Sequence, residues 1–385
     1  METKKTKSNK RGAGEGTIYK DKAGYWRAEL MLGYGPDGKP LRWRTSGKLR
    51  REVAAALAQA IEKHRQNTLV VNNRQTVAEY LARWLEDVAK PHLYVNTYQS
   101  YCRFVRLHIN PTLGNVRLQK VTPQHVLAMQ RAIADKGLSP YSVRHARSIL
   151  HRALRDAERM GLVGRNAVDL CNGPRIERQE RQVLTPEQAR AVLAAAEGTS
   201  FEALYVLALT TAFRRGELLG LKWADIDFTT KSIALKRALS WVSGAGSRFK
   251  DTKTHKHRGV ALTDIGIAAL KRHRARQLEQ RLAAGPRWED NDLVFTTRHG
   301  KPLQPWNVLR DTYEPLLKAA GVPRVRFHDL RHTTASLLVS LGVPLKVVQE
   351  ILGHSQQSTT ADTYSHVLPG LQRDAMDRLN QLLTP

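Results

Sequence analysis

Three short blocks in the second half of the chain bring together residue types suited to chemistry at a phosphate ester. The first reads Thr210-Thr211-Ala212-Phe213-Arg214-Arg215-Gly216-Glu217. Arg214 and Glu217 lie three apart, so on a helix the carboxylate can hold the guanidinium ready for a planar anion. Alone, such a pair is more often a surface ion pair. The second block, His328-Asp329-Leu330-Arg331-His332-Thr333, again sets a His and an Arg three apart, and the third couples His354 with Tyr364 ten residues later. A lone Tyr is normally a packing residue. Taken together, two Arg would neutralise charge on non-bridging oxygens, His would move protons and Tyr would supply an oxygen nucleophile for transesterification. Other chemistries lack their usual apparatus: there is no GxxxxGK[ST] loop, no HExxH and no HxE…CxxC, and no His spacing requires a metal.

The chain resembles the tyrosine recombinases and, within them, phage-type integrases with an N-terminal arm-binding domain. The resemblance extends over nearly the whole chain and is strongest in residues 207–227, 328–336 and 351–366. It implies that Arg214 and Arg331 are the catalytic arginines, His328 and His354 the two histidines, Tyr364 the nucleophile, and Glu217 a supporting residue. It also implies a catalytic Lys on a turn between two strands. The segment 251–262 looks like that hairpin, with Lys253 the best match and Lys256 the alternative. The sequence departs from the family at Ala212, where Gly is usual, and Ala is poor at positive φ.

The implied reaction cleaves and rejoins DNA through a 3′-phosphotyrosine and a Holliday junction, without metal or ATP. Lys253 would protonate the departing 5′ oxygen. Two duplexes and one Tyr per chain call for four protomers. A stripe of Leu371, Ala375, Leu379 and Leu382 suits docking onto a neighbour. Further partners implied are arm- and core-type attachment sites, a directionality factor and a host DNA-bending protein. A non-catalytic DNA-binding regulator and a type IB topoisomerase are the alternative readings.

The elements that must position these residues are legible from pattern. The expected class is multidomain α+β. Residues 1–13 form a basic tail, and 14–68 a three-stranded sheet with a helix at 50–65. Residues 74–172 form a helical, SAM-like core-binding bundle, 173–182 a linker, and 183–385 a mainly helical catalytic domain with a small antiparallel sheet and a C-terminal oligomerisation helix. Along residues 41–44, Leu and Trp alternate with Arg, giving the third strand one apolar and one cationic face. A capping box at Thr76 and Glu79 opens the bundle, and another at Thr185 and Gln188 opens the catalytic domain.

Charge indicates the partner. The 385 residues hold 62 Lys+Arg against 35 Asp+Glu, a net +27 that demands a polyanion. The excess falls in equal thirds on residues 1–72, 73–178 and 179–385, so its density is highest in the smaller units. Candidate DNA contacts are Lys10 and Arg11 in the tail, Arg27, Arg42 and Arg44 on the sheet, and Arg144 and Arg147 on the helix at 140–160. No apolar run reaches the roughly 20 residues of a membrane span, and the basic N-terminus lacks a signal-peptide core. With only Cys102 and Cys171, a reducing cytoplasm is expected, with association to the nucleoid on DNA.

Overall fold

The computed structural model describes residues 15–34, 38, 40–65, 74–177, 182–251 and 258–353. The chain divides into two compact units at Arg178 and Gln179, inside the polar stretch read as a linker. The first unit includes both the sheet and the helical bundle, which the sequence reading treats as separate domains, and each keeps its own buried cluster.

Strands β1 (Thr17–Lys20), β2 (Trp26–Tyr34) and β3 (Pro40–Gly47) form an antiparallel sheet in that order. Ala28 and Leu30 of β2 are fully buried against Val53, Leu57 and Ala60 of α1 (Arg50–Arg65). The opposite face carries the expected arginines, but it is not purely cationic. Glu29 sits among them, pairing with Arg42 at 3.4 Å and Arg44 at 3.0 Å, and Arg27 pairs with Asp21 at 2.8 Å. The expected apolar face also stops short. Trp43 packs on the core while Leu41 is exposed, opposite a bulge that shifts the register between Met31 and Gly33.

In the bundle, α2 (Val77–Arg83) starts at the Thr76–Glu79 capping box and continues through a π-turn at Trp84–Ala89. Next come α3 (Val95–Phe104), a π-turn at Val105–Ile109, α4 (Asn110–Leu113), α5 (Pro123–Ala134) and α6 (Pro140–Arg159). One stripe of α6, from Val143 to Ala157, is buried and receives two long-range polar ties: Tyr80 Oη donates to Ala153 O at 2.6 Å, and Trp84 Nε1 to Asp156 at 2.8 Å.

Arg147, one of the candidate DNA contacts, is engaged within the chain. Its Nη2 donates to the carbonyls of Val168 at 3.0 Å and Cys171 at 2.8 Å, so the guanidinium fastens a turn of its own unit, whereas Arg144 is exposed.

The second unit is built around α8 (Glu202–Thr210), apolar and almost wholly buried. Around it stand α7 (Pro186–Ala196), entered through the Thr185–Gln188 box, then α10 (Asp264–Ala284) and α13 (Phe327–Ser340). The short α9 (Arg215–Leu219) follows α8, while α11 (Pro305–Val308) and α12 (Glu314–Ala319) lead toward α13, and α14 (Leu345–Leu352) closes the described chain. Strands β4 (Ile226–Asp227), β5 (Ser232–Leu235) and β8 (Arg258–Ala261) make one sheet, and β6 (Arg237–Val242) pairs with β7 (Gly246–Asp251) in another. The small antiparallel sheet expected in this domain is thus present as two sheets, with β5 and β6 separated by Lys236.

The two roles of cations in α6 give a contrast to measure. Arg147→Ala is expected to lower the urea midpoint by the equivalent of about 1–2 kcal/mol, with Arg144→Ala leaving it unchanged. Equal midpoints for the two variants would show that the Arg147 bonds contribute nothing.

Candidate active site

The first chemical block forms where α8 stops. Thr211 returns its hydroxyl to Leu207 O at 2.7 Å, and the chain turns through Ala212 at φ +53°. This is the left-handed conformation that a Gly would adopt without strain, so the departure at Ala212 costs backbone energy of about 1 kcal/mol. The methyl offsets part of it by packing, fully buried, with Ala335, Val339, Val348 and Leu352.

Arg214 then caps α9. It is not on a helical face with Glu217, as the spacing suggests; it is the extended residue before the first turn. The carboxylate of Glu217 folds back and accepts both the Arg214 backbone N–H and its Nη1, each at 2.8 Å. Glu217 is buried while the Arg214 side chain stays 46% exposed, so the guanidinium is oriented from beneath and open above.

Helix α13 supplies the second block. His328 is exposed in its first turn, with its ring 5.0 Å from that of the buried His332, edge to face. Arg331 differs sharply from Arg214, being only 2% exposed. Its Nη1 donates to Ala212 O at 2.7 Å, and its Nη2 donates to Leu352 O. One buried cation thus ties the turn before Arg214, the helix bearing His328, and the end of α14, two residues before His354. Thr334 adds a bond to Leu209 O at 2.9 Å, and Thr333 accepts from Leu184 N at 3.0 Å. His354 and Tyr364 lie outside the described residues, as do Lys253, Lys256, Lys10, Arg11 and the stripe from Leu371 to Leu382.

Two features were not anticipated. Among the described residues β7 pairs with β6 and β8 with β5, so the two strands that flank residues 252–257 belong to different sheets. Arg326 also repeats the Arg214 arrangement at the head of α13. Asp329 accepts the Arg326 N–H at 3.0 Å and takes its guanidinium through two contacts of 2.9 Å. The three-residue spacing of Arg326 and Asp329 was the available signal. Burial pushes the Asp329 carboxyl up, but Arg326 and His332 outweigh it and hold it below the usual range.

Residues 182–370 match the sequence profile of the Phage integrase family, and residues 76–133 that of the phage integrase N-terminal SAM-like domain. A protein of Caldanaerobacter subterraneus named tyrosine recombinase XerC-like is 31% identical over 93% of this chain and 96% of its own length. Among solved structures, the integrase of transposon Tn1549, in complex with a circular-intermediate DNA, superposes with a TM-score of 0.68 at 23% identity, over 79% of this chain and 99% of that one. A lambda integrase tetramer bound to a Holliday junction gives 0.55 at 22% identity, over 92% and 97%.

The two arginines should respond differently to substitution. Arg331→Lys keeps the charge but cannot span two carbonyls, and a loss of about 3 kcal/mol in urea unfolding is expected; Arg214→Ala removes a half-exposed guanidinium but leaves the buried Glu217 its bond from the Arg214 backbone N–H, and should cost less, about 1 kcal/mol. Ala212→Gly should change stability by less than about 1 kcal/mol, because relieved strain is offset by a lost buried methyl. Acid gives a further check. A carboxyl depressed on folding stabilises the native state above its unfolded pKa of about 4 and loses that contribution as pH falls through the folded value; Asp329→Asn should therefore flatten the acid limb of stability below about pH 4, as read by melting temperature against pH.

The burial of Arg331, the exposed Arg214 and His328 around it, and the matches along the chain lead to one assignment: the protein belongs to the phage integrase family of tyrosine recombinases.

Proposed function

We propose that this protein is a site-specific DNA recombinase that integrates and excises a mobile element. The observation carrying the reading is the pair of hydrogen bonds from Arg331 to Ala212 O and Leu352 O, which ties the turn before Arg214 and the helix bearing His328 to the end of α14. The Tyr364 hydroxyl attacks the scissile phosphorus, the bond to the 5′ oxygen breaks, and a 3′-phosphotyrosine forms. Arg214 and Arg331 neutralise the non-bridging oxygens. Lys253 protonates the leaving 5′ oxygen, His328 accepts or buffers a proton, and His354 donates to a phosphoryl oxygen.

An ordinary Tyr ionises near pH 10, so the surrounding cations and hydrogen bonds must activate it. The covalent link stores the phosphodiester energy, so rejoining to a partner strand consumes no ATP, and the cationic groups take the part that metal ions play elsewhere. Two rounds of exchange through a Holliday junction need four protomers, an assembly for which the lambda integrase tetramer is a precedent. The exposed arginines of the sheet and of α6 suit the duplex backbone, and the net +27 suits a nucleic-acid partner. Among the described residues no helix is long and apolar enough to cross a membrane. A directionality factor and a DNA-bending protein would decide between integration and excision.

A nicked duplex that loses its leaving strand should trap the wild-type chain covalently, with Tyr364→Phe giving no adduct on a denaturing gel; an adduct from that variant would refute the nucleophile. Deleting the residues after Leu368 should leave DNA affinity within about twofold and abolish recombination. Unchanged recombination would remove the case for docking through the tail.

A further inference from the structure

The anchor of Arg214 is α9, a helix of five residues and therefore held by its contacts more than by its own bonds. Gly216 and Gly220 lie one turn apart on the side facing β6. A Cβ at Gly216 would stand 2.7 Å from the carbonyl oxygen of Leu239, and one at Gly220 would stand 2.7 Å from the Leu239 amide nitrogen. The two glycines therefore straddle the backbone of a single residue. Neither is needed for a left-handed turn: Gly220 has φ −95°, and Gly216 is not among the glycines at positive φ. Helix propensity favours Ala over Gly at Gly216, inside the helix, so what excludes a side chain is space.

The obstruction is main chain and cannot rotate aside. Carbon–oxygen contacts settle at about 3.3 Å or more, so a methyl at Gly216 requires a displacement of about 0.5 Å. Strand β6 is poorly placed to absorb it, because the Leu239 side chain is buried in the main core and Leu239 is paired with Phe249 of β7. The short helix is the element that yields, and with it the cap residue Arg214 and the carboxylate of Glu217 that orients its guanidinium.

We propose that Gly216 and Gly220 are positioning residues, which set the depth of Arg214 in the site by seating α9 directly on the backbone of Leu239. The inference rests on Arg214 being a ligand of the scissile phosphate. A displacement of about 0.5 Å is at the tolerance of a catalytic constellation, and about tenfold slower cleavage is expected for Gly216→Ala, with affinity for the duplex unchanged.

The test measures single-turnover cleavage of a nicked duplex by the full chain, with either a normal scissile phosphate or a neutral methylphosphonate in its place. A neutral linkage has no charge for Arg214 to offset, so the deficits of Arg214→Ala and Gly216→Ala relative to wild type should both shrink toward one. If Arg214→Ala keeps its full deficit on the neutral linkage, the phosphate role of Arg214 fails. If Arg214→Ala is relieved but Gly216→Ala is not, the glycines act elsewhere and the inference is overturned. Should Gly216→Ala fail to fold by circular dichroism, Gly220→Ala decides on the same readout. Failure of both to fold would make the close packing a folding requirement only and would overturn the proposal.

Discussion

The active-site half of this chain depends on one buried cation. Arg331 is 2% exposed and donates to two carbonyls that no local structure would bring together, those of Ala212 and Leu352. A guanidinium left without partners at such depth would be strongly destabilising, so the fold must deliver both carbonyls to it. That demand is met by a left-handed turn at Ala212, paid for in backbone strain, and by ending α14 at Gly353, also left-handed at φ +61°. The same residue that the chemistry assigns to a phosphate is thus a keystone of the tertiary structure, and Arg214 is free of that duty.

The exposed cations are handled differently. Arg214 and Arg326 each precede a helix, and each is held by a buried carboxylate three residues on, which also caps the helix through the backbone N–H. One carboxylate thereby satisfies an orphan donor and orients a guanidinium. Lys222 and Asp225 follow a related pattern, with Asp225 also receiving Arg237 and Lys236. Burying the acid under the base leaves the base facing outward, which is the useful polarity for a protein that binds a polyanion. On the N-terminal sheet the acid is placed otherwise: Glu29 lies among Arg42 and Arg44 on the open face and lowers its net charge.

Local signals carried much of the fold. The three-stranded sheet expected within residues 14–68 is present, the alternation at 41–44 falls in β3, and the helix at 50–65 agrees at both ends. Capping boxes at Thr76 and Thr185 appear where the sequence placed them, because the bonds join residues three apart. The pairing of Arg214 with Glu217 was legible for the same reason, although its geometry is that of a cap. What escaped was long-range. The sheet partners of β7 and β8 follow from contacts between separate segments, and the bulge between Met31 and Gly33 left no mark in the alternation.

By itself the sequence determined which residue types stand near one another along the chain, and hence the chemistry available: arginines beside acids, a histidine one helical turn from an arginine, a positive excess spread over the whole length. Those are matters of composition and of periods of two and three or four residues, which a linear string contains. Only the tertiary structure decided which cations are held by carbonyls and which face outward. Arg144 and Arg147 share a helix, yet one is exposed and the other is spent on the carbonyls of Val168 and Cys171. Arg331 and Arg214 share an expected role, yet one is buried and the other open. The partner of Arg331, Ala212, lies more than a hundred residues away in the chain, and nothing in the local pattern records that distance.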